Sequence, residues 1–226
     1  MQDLGLELFL SGNNFFRLLE GMGVALEISL IAVLLSIPLG VLYGTLMASS
    51  SRWLYLLCRF YLEFIRIMPQ LVLLFVVFFG SIRILGFDIS GEMAAILVFT
   101  LWGTAEMGDL VRGSLESISK NQYEAAYALG LTKKQTYCYI IIPEAIRSLL
   151  PLTVNLITRM IKTTSLVLMI GVVEVLKVAQ QIIDANRVIA PNASFGVFLV
   201  VLIMYFIVCF PISQLAKYLE RRWSFA

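Results

Sequence analysis

Ionisable side chains recur at helical spacing inside stretches that are otherwise apolar. Arg59, Glu63 and Arg66 stand at i, i+4 and i+7, Glu106, Asp109 and Arg112 are three apart, and Asn155, Arg159, Lys162 and Ser165 form a further polar stripe. Each set falls on one face of a helix. A charge surrounded by hydrocarbon is expensive unless it meets protein, water or an opposite charge, so these faces are expected to look inward. Within the first set Arg66 either forms a structural pair with Glu63 or serves a solute. Bond-making chemistry finds little support. The chain has no histidine, Cys58, Cys138 and Cys209 are far apart with no Cys-x-x-Cys pair, and no serine or cysteine stands beside a base. These facts argue against a metal centre, nucleophilic catalysis and a disulfide framework, and the three cysteines are expected to be small apolar packing residues. Gly-x-x-x-x-Gly-Lys-Ser/Thr is absent, so the chain has no phosphate-cradling loop with which to hydrolyse ATP by itself.

The elements that position these faces follow from composition. Of 226 residues 60% are hydrophobic and only 14% charged, which is too apolar for a soluble domain of this size. The expectation is an all-α polytopic membrane protein, a single transmembrane domain over residues 1–226. Its spans fall at about 24–48, 53–82, 92–112, 149–176 and 194–218, each near the ~20 residues that cross hydrocarbon. Pro38 and Pro211 interrupt the first and last spans, and Pro151 opens the fourth. Gly40 and Gly44 have the small-xxx-small spacing that lets another helix approach closely. Residues 1–20 lack the basic start and cleavage site of a signal peptide and read as an amphipathic segment at the membrane surface. Ser49 to Arg52 reads as a polar turn, Arg83 to Gly91 as a short loop, and Lys177 to Asn192 as an amphipathic outer segment ended by Pro191. The net charge of +2 gives no argument for nucleic acid. With the amino terminus outside, Arg52, Lys120, Lys133, Lys134, Arg147, Lys217, Arg221 and Arg222 fall inside, against Arg17, Arg83, Lys177 and Arg187 outside. That bias places the carboxyl terminus and the loop at about 113–147 in the cytoplasm.

This loop is the one long polar connection. Ser119 is placed to cap a helix through Glu124, Ala125 and Ala126, which Gly130 ends in the left-handed C′ position. Thr132 to Gln135 has the spacing of a capping box opening a second helix, which Pro143 ends or kinks.

Glu124-Ala125-Ala126, then Gly130, then, after nine intervening residues, Ile140-Ile141-Ile142-Pro143 resembles the EAA loop of permease subunits of ATP-binding-cassette importers, with Ile142 standing for the usual Leu. Further segments resemble the polar-amino-acid (histidine, glutamine, arginine) branch. Arg66 and Pro69 match its Arg-Gly-Thr-Pro, although Ile67 and Met68 replace Gly and Thr and leave a locally opened backbone before the proline less certain. Glu106 stands where the family has Tyr, Asp109 where it has Glu, and Arg112-Gly113 match. Lys162, Thr164, Ser165, Leu166, Gly171 and Glu174 match a later segment in which Thr163 replaces Asp, so Lys162 needs another anion, for which Glu106 is the candidate.

The resemblance implies a type I importer permease fold with a short cytoplasmic coupling helix carrying Glu124, Ala125, Ala126 and Gly130. It implies two ATP-binding-cassette ATPase subunits that bind ATP-Mg, a second permease subunit (this chain or a relative), and an extracytoplasmic substrate-binding protein. The setting is lipid, the bacterial cytoplasmic membrane, and the chain itself carries no cofactor. Within it, Arg159 or Lys162 would meet an amino acid's carboxylate and Glu106 or Asp109 its amino group, with Asn155, Ser165 and Arg66 along the pathway. Glu106 either biases the site toward cationic amino acids or neutralises Lys162 or Arg159. An ion-coupled secondary transporter or channel subunit is the rival; it would not need the Glu-Ala-Ala helix and often shows internal repeats, which are not found here.

Overall fold

The computed structural model describes residues 6–9, 12–48, 51–86 and 88–223. Part of the expected surface segment (1–5, 10 and 11), Ser49 and Ser50 of the polar turn, and Phe87 of the short loop lie outside the described residues. The α-helices, in order, are α1 (Asn14–Met47), α2 (Arg52–Ile67), α3 (Gln70–Gly80), α4 (Gly91–Glu116), α5 (Lys120–Ala128), α6 (Lys133–Thr136), α7 (Ile142–Thr163), α8 (Val175–Ala185) and α9 (Ala193–Trp223). No strand occurs among the described residues. Helical stretches long and apolar enough to cross a membrane are Asn14–Met47, Gly91–Glu116, Lys133–Ile170 and Ala193–Trp223, with one more if the helices on either side of Met68 and Pro69 count as one broken span. Large apolar residues such as Leu30, Leu34 and Leu42 of α1 and Leu202, Phe206 and Ile207 of α9 are exposed, as faces toward lipid require.

The chain forms two compact units, one of residues Met1–Ala32, Pro69–Phe99 and Arg159–Pro211, the other of Val33–Met68, Thr100–Thr158 and Ile212–Ala226. In the first, Val175, Val178, Ala179 and Ile182 recur at i, i+3, i+4 and i+7 along α8 and pack with Leu18 and Met22 of α1 and Val197 and Val201 of α9. Gly21 makes this possible, because a Cβ there would lie 2.8 Å from the Val175 backbone nitrogen. Arg17 secures the same seam by donating to Gln181 at 2.5 Å. The expected fourth span, continuing to 176, ends earlier. The hydroxyls of Thr163, Thr164 and Ser165 donate to the carbonyls of Arg159, Ile161 and Lys162. These bonds compete with the helical ladder, which tightens to a 3-10 turn over Thr164–Ile170 and stops at Gly171, whose φ is +85°.

In the second unit the Gly40/Gly44 spacing is a true helix crossing. A Cβ at Gly40 would lie 2.5 Å from Met107 Cβ, and one at Gly44 2.5 Å from the Gly108 carbonyl oxygen, so α1 and α4 run backbone against backbone. Around the crossing, Tyr43 donates to the Cys58 carbonyl, Tyr61 donates to the Leu101 carbonyl at 2.8 Å, and the two rings meet edge to face at 5.3 Å.

Several sequence expectations change. α1 begins at Asn14, so residues 14–20 of the expected surface segment belong to the first long helix, while Leu6–Phe9 form a separate 3-10 turn. Helix α2 stops at Ile67 and the chain is extended at Met68 (ψ 130°) and Pro69 (ψ 125°), so the opened backbone forms despite the missing Gly and Thr. The proline ring disfavours helix at the preceding residue, which accords with the break here, although Pro38, Pro151 and Pro211 are carried inside helices. Pro143 neither ends nor sharply divides its helix, because a π-helical turn over Tyr137–Ile141 lets the chain pass from α6 into α7. Pro151 lies inside α7 instead of opening a span.

The crossing yields a test. Gly44→Ala should lower stability by about 1–3 kcal/mol, because the nearest atoms, the Gly108 carbonyl oxygen and Val111 Cβ, can move only with the α4 backbone. Gly23→Ala, with nothing within 4 Å, should be neutral or slightly stabilising. Thermal melting of the two detergent-solubilised variants checks this, and equal melting temperatures would refute the close crossing.

Candidate functional site

Helix α5 is short and closed at its C-terminal end. Ser119 takes the N-cap place in extended conformation, φ −65° and ψ 145°, but its hydroxyl makes no capping bond. The far end closes more firmly. Gly130 adopts φ +77°, its N–H donates to the Tyr127 carbonyl at 2.9 Å, and the Leu131 N–H donates to the Ala126 carbonyl at 3.1 Å. This pair of bonds is a Schellman closure, and glycine takes the left-handed position without strain. The capping box follows at once. The Thr132 N–H donates to Gln135 Oε1 at 2.9 Å and the Gln135 N–H to Thr132 Oγ1 at 3.4 Å.

The loop is seated by a small core of Ile118, Ile141 and Ala145 with Leu115, Tyr123 and Ile140 against it, and Ala126 is buried. Burial, reinforced by the neighbouring Tyr137, raises the Tyr123 phenol above its ordinary pKa. The opposite face is open. Glu124, Ala125, Tyr127 and Gly130 are exposed, Leu129 is 79% exposed and Tyr139 is 72% exposed. Apolar side chains presented outward on a rigid polar loop are what a protein partner needs. Cys138 is exposed on this loop, unlike the buried Cys58 and Cys209, so the expectation that all three cysteines pack inside fails for it. The π-helical turn containing it has the spare surface of a loop.

In the same unit Arg66 joins two helices. Its Nε donates to Glu106 Oε1 at 3.1 Å and its Nη2 to Asp109 Oδ2 at 2.6 Å. Arg112 donates to Asp109 Oδ1 at 2.6 Å and to Glu116 Oε2 at 2.6 Å. The carboxylates of Glu106 and Asp109 are only 10% and 18% exposed, against 40% for Arg66. The expected Arg66–Glu63 pair is absent among the described contacts; Glu63 accepts from Arg59 at 3.3 Å, and both of those side chains are about half exposed, so that face does not look inward in the single chain. Arg66 lies one turn further along α2, where its guanidinium reaches α4. Glu106, which the sequence offered to Lys162 or Arg159, accepts from Arg66.

The polar stripe is divided. Asn155 belongs to the second unit, and Arg159, Lys162 and Ser165 to the first. Asn155, Arg159 and Lys162 are exposed along α7, whereas Ser165 lies in the 3-10 turn beyond it. Lys162 and Ser165 line an otherwise apolar cavity of about 370 Å³ with Phe198, Val201, Leu202 and Tyr205. Two participants were missed by sequence reasoning. Glu116 had the i, i+4 spacing to Arg112 that signals a helical ion pair. Tyr205, whose hydroxyl donates to the fully buried Glu174 at 3.5 Å, had no sequence signal, because the two residues are 31 apart.

The family model for the binding-protein-dependent transport system inner membrane component matches residues 36–225. The chain belongs to this family. It is 34% identical to a probable glutamine ABC transporter permease protein of Bacillus subtilis over 90% of this chain and 92% of that one. It is 30% identical to a putative glutamine transport system permease protein of Rickettsia conorii over 92% and 94% of the two chains. Among solved structures, an amino acid ABC transporter crystallised with histidines matches with a TM-score of 0.85 and 26% identity, over 95% of this chain and 98% of that one. The fold is that of an ABC type I importer permease.

Removing the hub tests its structural weight. Arg66→Ala, which leaves two largely buried carboxylates short of a partner, should destabilise by about 2 kcal/mol or more. Arg59→Ala should stay within about 0.5 kcal/mol. In a double-mutant cycle Glu106→Gln should recover part of the Arg66→Ala loss, and simple additivity would show that the contact carries no energy.

Proposed function

We propose that the chain is the membrane subunit of an ATP-driven importer of polar amino acids, and that α5 is the helix on which a separate ATPase acts. The observation that carries this reading is the Glu-Ala-Ala pattern folded as a short helix with a Schellman-closed end and an exposed face, followed at once by the capped start of α6. A helix end free to fray would absorb a push, whereas the Schellman turn ending α5 and the capping box opening α6 fix the connection that leads through the π-helical turn to α7. Because the sequence contains no phosphate-binding loop, nucleotide energy has to come from partners. Two ATP-Mg-binding ATPase subunits, a second permease subunit and an extracytoplasmic binding protein complete the complex, and the lysine and arginine bias supports a cytoplasmic α5 and carboxyl terminus. Relatives named for glutamine and amino acid transport support the substrate class.

Glu124→Ala should lower ATP-dependent uptake in reconstituted vesicles by at least about tenfold while leaving the chain folded. Full uptake by that variant would remove the coupling role from α5. Since Arg66 engages Glu106, the supported role for Glu106 is to set the geometry of the pathway. Glu106→Gln should therefore reduce labelled arginine and glutamine uptake by similar factors; selective loss of arginine would assign Glu106 to recognition of the cation.

A further inference from the structure

A cavity of about 500 Å³ opens between α5, α7 and the end of α9, a volume within the range of sites that hold small molecules. Its walls include Gln122 of α5, Glu144, Arg147 and Asn155 of α7, and Glu220 and Trp223 of α9. Both signs of charge are present, yet among the described residues Arg147 forms no ion pair with Glu144 or Glu220. Opposite charges that share a cavity without neutralising one another suit a ligand that carries both. The guanidinium of Arg147 presents a planar donor fork to a carboxylate, and Glu220 and Glu144 offer acceptors to an ammonium. Asn155 supplies an amide with donor and acceptor, and the indole of Trp223 forms a wall against which an aliphatic or cationic side chain packs.

The cavity is also wired to α5. Gln122, two residues before Glu124, donates from Nε2 to Glu144 Oε1 at 2.7 Å, while its own amide oxygen is buried with no hydrogen-bond partner among the described residues. Among the described residues that side chain is held by one hydrogen bond, so an ammonium that draws on Glu144 weakens the tie between α5 and α7. Ligand in the cavity and the docking state of α5 are then linked by a coupling free energy.

We infer that this cavity is a product-sensing site for an amino acid zwitterion on the α5 side of the membrane, where accumulated substrate slows its own import. The inference rests on the importer reading above. The test uses the complete complex with its ATPase and binding protein, reconstituted in vesicles of phosphatidylcholine and phosphatidylglycerol with glutamine loaded on the ATPase side. Initial uptake of labelled glutamine should fall at least about fivefold as the loaded concentration rises. Arg147→Gln and Glu220→Gln should keep the rate seen in empty vesicles and lose the slowing, and Ser148→Trp, which fills the cavity, should do the same. Slowing of equal size in all three variants, or none in the parent complex, overturns the site while the importer reading stands. No import at all by the parent complex overturns the importer reading itself. If phosphatidylethanolamine in empty vesicles alone reproduces the slowing, the zwitterion held is a lipid headgroup and the amino acid site is refuted.

Discussion

Arg66 holds two carboxylates of a neighbouring helix at once, and much of the second unit is arranged so that it can. Hydrocarbon offers neither water nor counter-ions, so a charge in an apolar helix has to find its partner within the protein. Arg66 reaches Glu106 and Asp109 because α2 runs beside α4, with Tyr61 of one bonded to the Leu101 carbonyl of the other. Helix α4 is in turn fixed against α1, where Gly40, Gly44 and Gly108 remove the side chains that would hold the backbones apart. The charge pairing and the glycine crossing therefore depend on each other.

The same economy governs the polar loop. Its backbone groups are closed locally by a Schellman turn and a capping box, so α5 keeps its shape without deep burial and leaves one face open. Beyond it the π-helical turn allows a proline to sit near the start of a long helix without breaking it. An element whose connection to a membrane-crossing helix is closed at each step, by the Gly130 turn, the α6 capping box and the π-helical turn, is a mechanical link, and this is the physical content of the coupling role proposed for α5. The Gln122–Glu144 bond adds a second link between the same two elements, at the wall of a polar cavity.

Much of this was legible in the residues. The Gly130 stop and the Thr132–Gln135 box were readable because they are local, being set by four to six neighbouring residues and the left-handed preference of glycine. The break at Pro69 was readable in part, since a proline disfavours helix before it, but Pro38, Pro151 and Pro211 sit inside helices, so the residue type alone does not decide it. Partners of charged residues were less readable. Spacing along one helix offered Glu63 to Arg66, but a side chain of this length chooses among helices as well as along them, and Arg66 reaches Glu106 and Asp109 of α4.

By itself the sequence determined the helical class, the apolar stretches that cross lipid, the shape of α5 and its caps, because these follow from hydrophobicity and from backbone rules acting over a few residues. Tertiary structure alone decided which glycines lie at a crossing, that Arg66 serves α4, that the hydroxyl run after Lys162 ends the helix early, and which charged residues share a cavity. Those outcomes depend on distances between residues far apart in the chain, and no local pattern encodes them.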